Sequence, residues 1–568
     1  MSLEPKQRHK SLGARDTSLP FPPSARAWTA LLIAALALGA WLRWYQLPAQ
    51  ILLDDEWHAI HKLLSSDAFG ILSHLGFADH SIPLTLYNYW LQTTSHLSEW
   101  RMHLPALAAG FALLVIAPLL LRSVTSLPTR AVWVALLAIS PLLVYHSKTA
   151  RPYAFTSLLT LIAIVAFYRW WHRAPRMRAW AAGYFVATFL SGYLHPVTLP
   201  FTLLPFAYFG LTALTQVVRP ATRRPGIAAL LRLSTLGSLV ALALATALLP
   251  PIVNDWRLLQ AKTGTDTVTL TSLYRSTLML GGVRDGLMLA TLAIFGALGV
   301  RELLHRDRTQ LLYWAVIIVG GTAAVALMRP SWIHHPLVLA RYLQPIVPLL
   351  LLFVAEGVVA ALAAVKRPAL EVAVVTGMVG ALVAVGPIPV YFYFPNQFMG
   401  HLRFQFDYDP VHNPYVTQIP REPVSEFYRQ LATRAPGSLT VIEAPWRLES
   451  HFNPLPWYQQ IHRQKVIIGF TTPVCGTRTF GEYPEGLPGM RMRKFAHLSA
   501  LLRGETYGAA YLIVHLHPWK TPPSAEVEWP DVAACLPLIE ERYGEPIFRD
   551  ASLVVFDLRP ANAQAVAQ

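Results

Sequence analysis

Three consecutive carboxylates, Asp54, Asp55 and Glu56, stand in the run LeuLeuAspAspGluTrpHis (52–58), just beyond the first long apolar segment of the chain. A membrane helix takes its orientation from Lys and Arg, and acids contribute little to it. Acids in this place are therefore read as chemistry held at a membrane surface. Hard cations favour carboxylates, so Asp54, Asp55 and Glu56 are also candidate ligands for Mg²⁺ or Mn²⁺. The plain alternative is that they solvate the end of a loop.

The elements that must position these acids follow from composition. The chain has 568 residues, 54% of them hydrophobic and 14% charged, with 11% aromatic and a mean hydropathy of +0.38, and its apolar residues come in long runs. That is the profile of a polytopic membrane protein. The net charge of +15 sits in short loops between apolar runs, where it sets orientation and meets anionic headgroups of membrane lipids, so nucleic acid is not needed to explain it.

The first span is read over 28–45, behind a basic tail at 1–27 that holds Lys6, Arg8, Lys10, Arg15 and Arg26. It closes on the interfacial aromatics Trp41, Trp44 and Tyr45. This puts the tail in the cytoplasm and the acids outside; a cleaved signal peptide is the alternative. Further spans are expected over 103–122, 131–147, 153–171, 178–194, 197–217, 230–252, 286–301, 311–328, 342–362 and 369–388, about eleven in all by apolar run length. The basic loops 122–130, 169–178, 219–232, 301–308 and 366–367 then fall on one side. Residues 81–95 are apolar but short, and carry Asn88 and Gln92. They are read as a helix lying in the outer interface within a first external loop over 47–103, with a crossing as the alternative.

The same orientation sends several polar clusters to the outer side. Besides the acids these are SerLysThrAlaArgProTyr at 147–153, TyrLeuHisPro at 193–196, a long loop over 254–285, and the stretch 329–342. Acids and bases from distant segments meeting on one surface are how a site is built on a helical scaffold. His58, His61, His80, His195, His334 and His335 fall on that side too. Only His58 and His61 have a spacing that suits a metal.

These segments carry a resemblance. An acidic pair after the first span, Pro83 to Trp90, SerGluTrpArgMetHisLeuPro (98–105), SerLysThrAlaArgProTyrAla (147–154) and ArgTyrLeuGlnPro (341–345) occur in this order. Together they resemble bacterial membrane glycosyltransferases of the GT-C fold, in particular the group of protein mannosyltransferases and lipid A aminoarabinose transferases. The likeness spans about residues 28–390 and lies in the order of five individually weak motifs.

The resemblance implies a hexosyl- or pentosyltransferase that inverts the sugar. It would take its donor from a polyprenyl-phosphate carrier and pass the sugar to a lipid, glycan or protein acceptor at the periplasmic face of a bacterial inner membrane. Such a transfer needs a base for the acceptor hydroxyl and charge stabilisation for the leaving phosphate. The acidic pair maps onto Asp55 and Glu56, with Asp55 as base and Asp54 as an additional acid one register away. Lys148, Arg151 and Arg341 are the partners expected for the donor phosphate. His58, Tyr153, His195 and Tyr342 complete the set as substrate-binding residues, packing being the alternative for both tyrosines. Many relatives place an acid before the Ala-Arg pair, where this chain has Lys148 and Thr149.

Past residue 390 the apolar runs shorten. Short strands are expected at 440–443, 465–470, 510–516 and 551–558, so 391–568 reads as an α/β domain, periplasmic by the parity of the spans. It holds both cysteines, Cys475 and Cys535, which an oxidising compartment would allow to pair. A transporter would instead show internal repeats and ionisable residues near the membrane midplane. A non-catalytic envelope-assembly scaffold would have no reason to keep the acids.

Overall fold

The structure is a computed structural model. It describes residues 23–45, 47, 56, 58–59, 62–63, 66–76, 80–95, 97–219, 223–264, 266–389, 424–445, 455–470, 496–517 and 532–559. Its long apolar runs are helices, as they must be where no water is present to bond the backbone. In chain order these are α1 (Pro23–Trp44), α2 (Ile82–Thr94), α3 (Glu99–Leu120), α4 (Leu127–Ile139), α5 (Pro141–Ser147), α6 (Tyr153–Trp171), α7 (Met177–Leu194), α8 (Leu199–Val218), α9 (Arg223–Asn254), α10 (Leu270–Gly281), α11 (Gly286–Arg306), α12 (Arg308–Met328), α13 (Pro336–Leu343), α14 (Val347–Leu362) and α15 (Pro368–Val385).

Among the described residues nine helices are long and apolar enough to cross a membrane, or ten if α4 and α5 form one bent span. The chain is thus a multi-pass helical membrane protein. The remaining expected span, α7, is a helix of 18 residues made less apolar by Arg178, Trp180, Tyr184 and Tyr193. Two expectations are corrected. The span over 131–147 is broken, with α4 and α5 meeting at 62° around Ser140, because Pro141 has no N–H to continue the helical ladder. The stretch 254–285 is not a plain loop: it holds a short helix, Trp256–Ala261, and α10, which opens with a capping box between Thr269 and Ser272.

Helix α2 has 13 residues, about 20 Å of rise, too short for a core of about 30 Å. Ser81 Oγ donates to Leu194 O at 3.0 Å, which fixes the start of α2 to the end of α7. The external loop is also tied to the end of α9. Asp255 accepts from Gly76 N at 2.7 Å and pairs with His74 Nδ1 at 3.0 Å. Burial would raise the Asp255 carboxyl, but these bonds outweigh it and hold the group below its usual range.

At the basic end of the bundle, Arg306 bonds the buried Glu356 at 2.7 Å and the Tyr168 hydroxyl donates to Asp307 at 3.3 Å. Helices α11 and α14 pack backbone against backbone. A Cβ on Gly299 would lie 1.9 Å from Phe353 O, and one on Gly357 would lie 1.8 Å from Phe295 O, so only glycine lets these backbones meet.

The C-terminal part carries five strands, β1 (Thr440–Ala444), β2 (Lys465–Ile468), β3 (Tyr511–His515), β4 (Phe548–Arg549) and β5 (Leu553–Asp557), in the order β2-β1-β3-β5-β4. The first three run parallel, and β5 is antiparallel to β3 and β4. The four strands expected from sequence are all present, with β4 in addition. Beneath them the Glu443 and His515 side chains pair at 2.8 Å and both meet the Tyr428 hydroxyl, all three buried. Cys535 is disulfide-bonded; the one other cysteine, Cys475, lies outside the described residues.

Overpacking a tight contact costs about 1–3 kcal/mol, whereas Gly→Ala in an open helix position gains from propensity. Gly299→Ala is therefore expected to lower the thermal midpoint of the purified protein, and Gly377→Ala, with nothing within 4 Å of its Cβ position, to leave it unchanged or raise it. Equal midpoints for the two variants would contradict the close approach of α11 and α14.

Candidate active site

The site is organised around the turn at 148–152, which joins α5 to α6. Pro152 fixes φ and starts α6, while the residues before it leave the helical path. Three separate parts of the chain hold this turn. Lys148, buried, donates from Nζ to Tyr45 O at 2.7 Å, at the end of α1. The Ala150 N–H donates to Glu56 Oε1. That same oxygen bonds His103 Nε2 of α3 at 2.7 Å. With Glu56 already accepting from a backbone N–H, His103 serves as the second donor. Glu56 and His103 are both fully buried.

From the turn a file of rings crosses the end of the bundle. Ring centroids lie 4.7 Å apart for Tyr145 and His146, 4.7 Å for His146 and Tyr153, 5.3 Å for Tyr153 and His195, and 5.8 Å for His195 and Tyr342. The Arg341 guanidinium stands 5.4 Å from the Tyr153 ring and 5.5 Å from the Tyr342 ring. Gln344 secures the arrangement from below, donating to Tyr153 O at 3.1 Å and Ser157 Oγ at 2.9 Å. Burial first, then the charges of Arg341 and Arg151, push the His195 imidazole down to about 3. His195 is therefore neutral at pH 7, and the positive charge here comes from the Arg and Lys side chains.

Of the residues expected from sequence, the structure brings together Glu56, Lys148, Arg151, Tyr153, His195, Arg341 and Tyr342. His58 follows Glu56 by two positions and is half-buried. Asp54, Asp55 and His61 lie outside the described residues. His80 bonds Thr85 and His74 O, and His334 pairs with Asp266 at 3.4 Å, so both serve the loop packing. Among the described residues no group of three or more His, Cys, Asp or Glu could hold a metal ion. Glu56, the one described member of the acidic trio, has Oε1 committed to two hydrogen bonds.

Sequence reasoning passed over His103, His146 and Arg43. Each is an ionisable side chain in or beside an apolar run, which is itself a signal of function in a membrane protein.

Two solved proteins are similar in chain path. ArnT from Cupriavidus metallidurans in the apo state is 13% identical, with 94% of this chain and 98% of that chain covered at a TM-score of 0.45. ArnT bound to undecaprenyl phosphate gives 13%, 94%, 99% and 0.45. The oligosaccharyltransferase of Archaeoglobus fulgidus in complex with zinc and sulfate gives 13%, 86%, 68% and 0.40. No protein-family model and no curated protein sequence matches the chain. A likeness of this size carries no residue's role from one chain to the other.

Removing one member of a buried hydrogen-bonded pair costs about 3–5 kcal/mol, because the other is left without its partner. Glu56→Ala is expected to lower the thermal midpoint in detergent strongly, and Glu56→Ala with His103→Leu to recover part of the loss. Additive losses would place no coupling between the two.

A second expectation concerns pH. The folded pKa of His195 is depressed, so the folded state refuses a proton that the unfolded chain takes up near pH 6.5. The stability that depends on a neutral His195 is complete above that pH and falls as pH drops from about 6.5 toward 3. Midpoints measured between pH 7 and 5 should fall less steeply for His195→Gln than for the wild type; identical slopes would argue against a neutral imidazole at this half-buried position.

Proposed function

We propose that this chain is a membrane glycosyltransferase that moves a sugar from a polyprenyl-phosphate carrier to an acceptor hydroxyl at the outer face of a bacterial inner membrane. The observation that carries the reading is the gathering of Lys148, Arg151 and Arg341, from two distant segments, around a ring-lined surface at one end of the bundle. Guanidinium and ammonium groups set in apolar surroundings suit a phosphodiester whose leaving oxygen gains charge. The order of the sequence motifs supports the same class.

In this reading the acceptor attacks the anomeric carbon as its bond to the carrier phosphate breaks, with inversion at that carbon. Asp55 takes the acceptor proton, and Asp54 flanks it. Glu56 is buried and doubly hydrogen-bonded, so its part is to anchor the acidic segment to α3 and to the Ala150 N–H. Arg151 and Arg341 bind the phosphate, Lys148 braces the turn from which Arg151 projects, and the rings of Tyr153 and Tyr342 shape the surface beside Arg341. His58 and His195 offer ring nitrogens to the sugar. No step is routed through a metal: of the candidate ligands, Asp54 and Asp55 lie outside the described residues, and Glu56 has Oε1 committed to two hydrogen bonds.

The basic loops support an inside N-terminus. The disulfide at Cys535 supports an oxidising, periplasmic setting for residues 391–568. The acceptor class we leave as lipid, glycan or protein.

The test is transfer of labelled sugar from a panel of polyprenyl-phosphate sugars to envelope extracts by the purified chain. Arg151→Ala and Arg341→Ala are each expected to reduce kcat/KM about 10²–10³-fold, the loss typical of a charge-stabilising donor, and Asp55→Asn to abolish transfer. No transfer from any donor by folded wild-type protein would overturn the class; transfer retained by Asp55→Asn would remove the base from that position.

A further inference from the structure

A fully buried arginine inside the first span has no part in the mechanism above. Arg43 lies one residue from the end of α1, 0% exposed. Its guanidinium reaches both arms of the broken helix. Nη2 donates to Leu137 O at 3.1 Å and Nη1 to Ala138 O at 3.2 Å, both in the last turn of α4. Nε donates to Ser147 Oγ at 3.2 Å, the last residue of α5, and Nη1 also bonds Gly39 O at 3.0 Å.

These partners have a common cause. The last carbonyls of a helix lack intrahelical donors, and Pro141 cannot supply the N–H that Leu137 O would otherwise receive. A charged donor at that negative end satisfies them and is itself relieved of part of its burial penalty. Two glycines make room for the contact. A Cβ on Gly110 of α3 would come 2.1 Å from Ser147 Oγ and 3.3 Å from Arg43 Nε; one on Gly39 would come 2.9 Å from the Ala138 Cβ.

We infer that Arg43 is a positioning residue: it locks the 62° bend between α4 and α5 and thereby sets the turn at 148–152. The lock lies directly behind the turn. Ser147 precedes Lys148, and Tyr45, two residues after Arg43, receives the Lys148 ammonium. One segment of α1 thus grips the bend with a side chain and the turn with a carbonyl. The effect on catalysis rests on the glycosyl-transfer reading; the effect on the turn does not.

The test uses the full chain in lipid nanodiscs. Displacement of a catalytic group by about 1 Å can cost on the order of 10²-fold. Arg43→Met is expected to lower kcat/KM for the donor by about that factor per folded molecule, through both kcat and KM. Arg43→Lys, which keeps a donor for one carbonyl, is expected to recover about half of that loss on a logarithmic scale. Gly110→Ala pushes on Ser147 while leaving the arginine in place, and remains informative if Arg43→Met does not fold. It should lower transfer in the same way, and Arg43→Lys with Gly110→Ala should fall short of additivity. Wild-type transfer by folded Arg43→Met, or full additivity in the double variant, would overturn the proposal. A cryo-EM structure of Arg43→Lys decides the point without any transfer assay: a displaced turn with Lys148 off Tyr45 O supports the lock, and an unmoved turn overturns it even if the glycosyl-transfer reading stands or falls separately.

Discussion

Backbone polar groups freed where an apolar helix breaks need new partners, and this protein has such a break between α4 and α5. The turn at the centre of the candidate site lies directly beyond that break. The carbonyls freed at the end of α4 are taken by Arg43, and the chain that leaves α5 is free to make an irregular turn whose amide finds Glu56 and whose lysine finds Tyr45. Without partners supplied from α1 and α3 the turn would expose unpaired groups to an apolar setting. With them, it holds two cations at the mouth of the bundle.

The helical scaffold was legible because it depends on a quantity that any window of sequence reports, the length of an apolar run. The four main strands of the C-terminal sheet were legible for a related reason, being short β-branched runs bounded by turn residues. The bend at Ser140 was missed although Pro141 is plain to see, since a proline inside a span is often absorbed without a sharp break. Arg43 and His103 were missed for a different reason. Their roles depend on partners 94 and 47 residues away, and spacing along one segment says nothing about such distances. Lys148, Arg151, Tyr153, Arg341 and Tyr342 were singled out by ordered motifs rather than by pattern or propensity, and the structure brings them to one end of the bundle.

Two buried histidine–glutamate pairs occur in the described residues, and they do different work. His103 with Glu56 joins segments that flank the site, whereas His515 with Glu443 lies under the sheet, bridging neighbouring strands β1 and β3 with Tyr428 closing the triangle. Both bury polar atoms that would be unfavourable singly, and both fix register between elements that hydrophobic packing alone would let slide. The glycines of α11 and α14 do the same for two helices by steric means.

The buried guanidinium also bears on how the protein is made. As the first span enters the membrane, Arg43 lies ahead of its carbonyl partners by 94 and 95 residues and of its hydroxyl partner by 104. During that interval the acceptors on α4 and α5 are still to come, while Gly39 O of α1 itself is already in place. The contacts that hold the guanidinium against the bend form once α4 and α5 arrive beside α1, which ties the placing of the first span to that of the turn at 148–152.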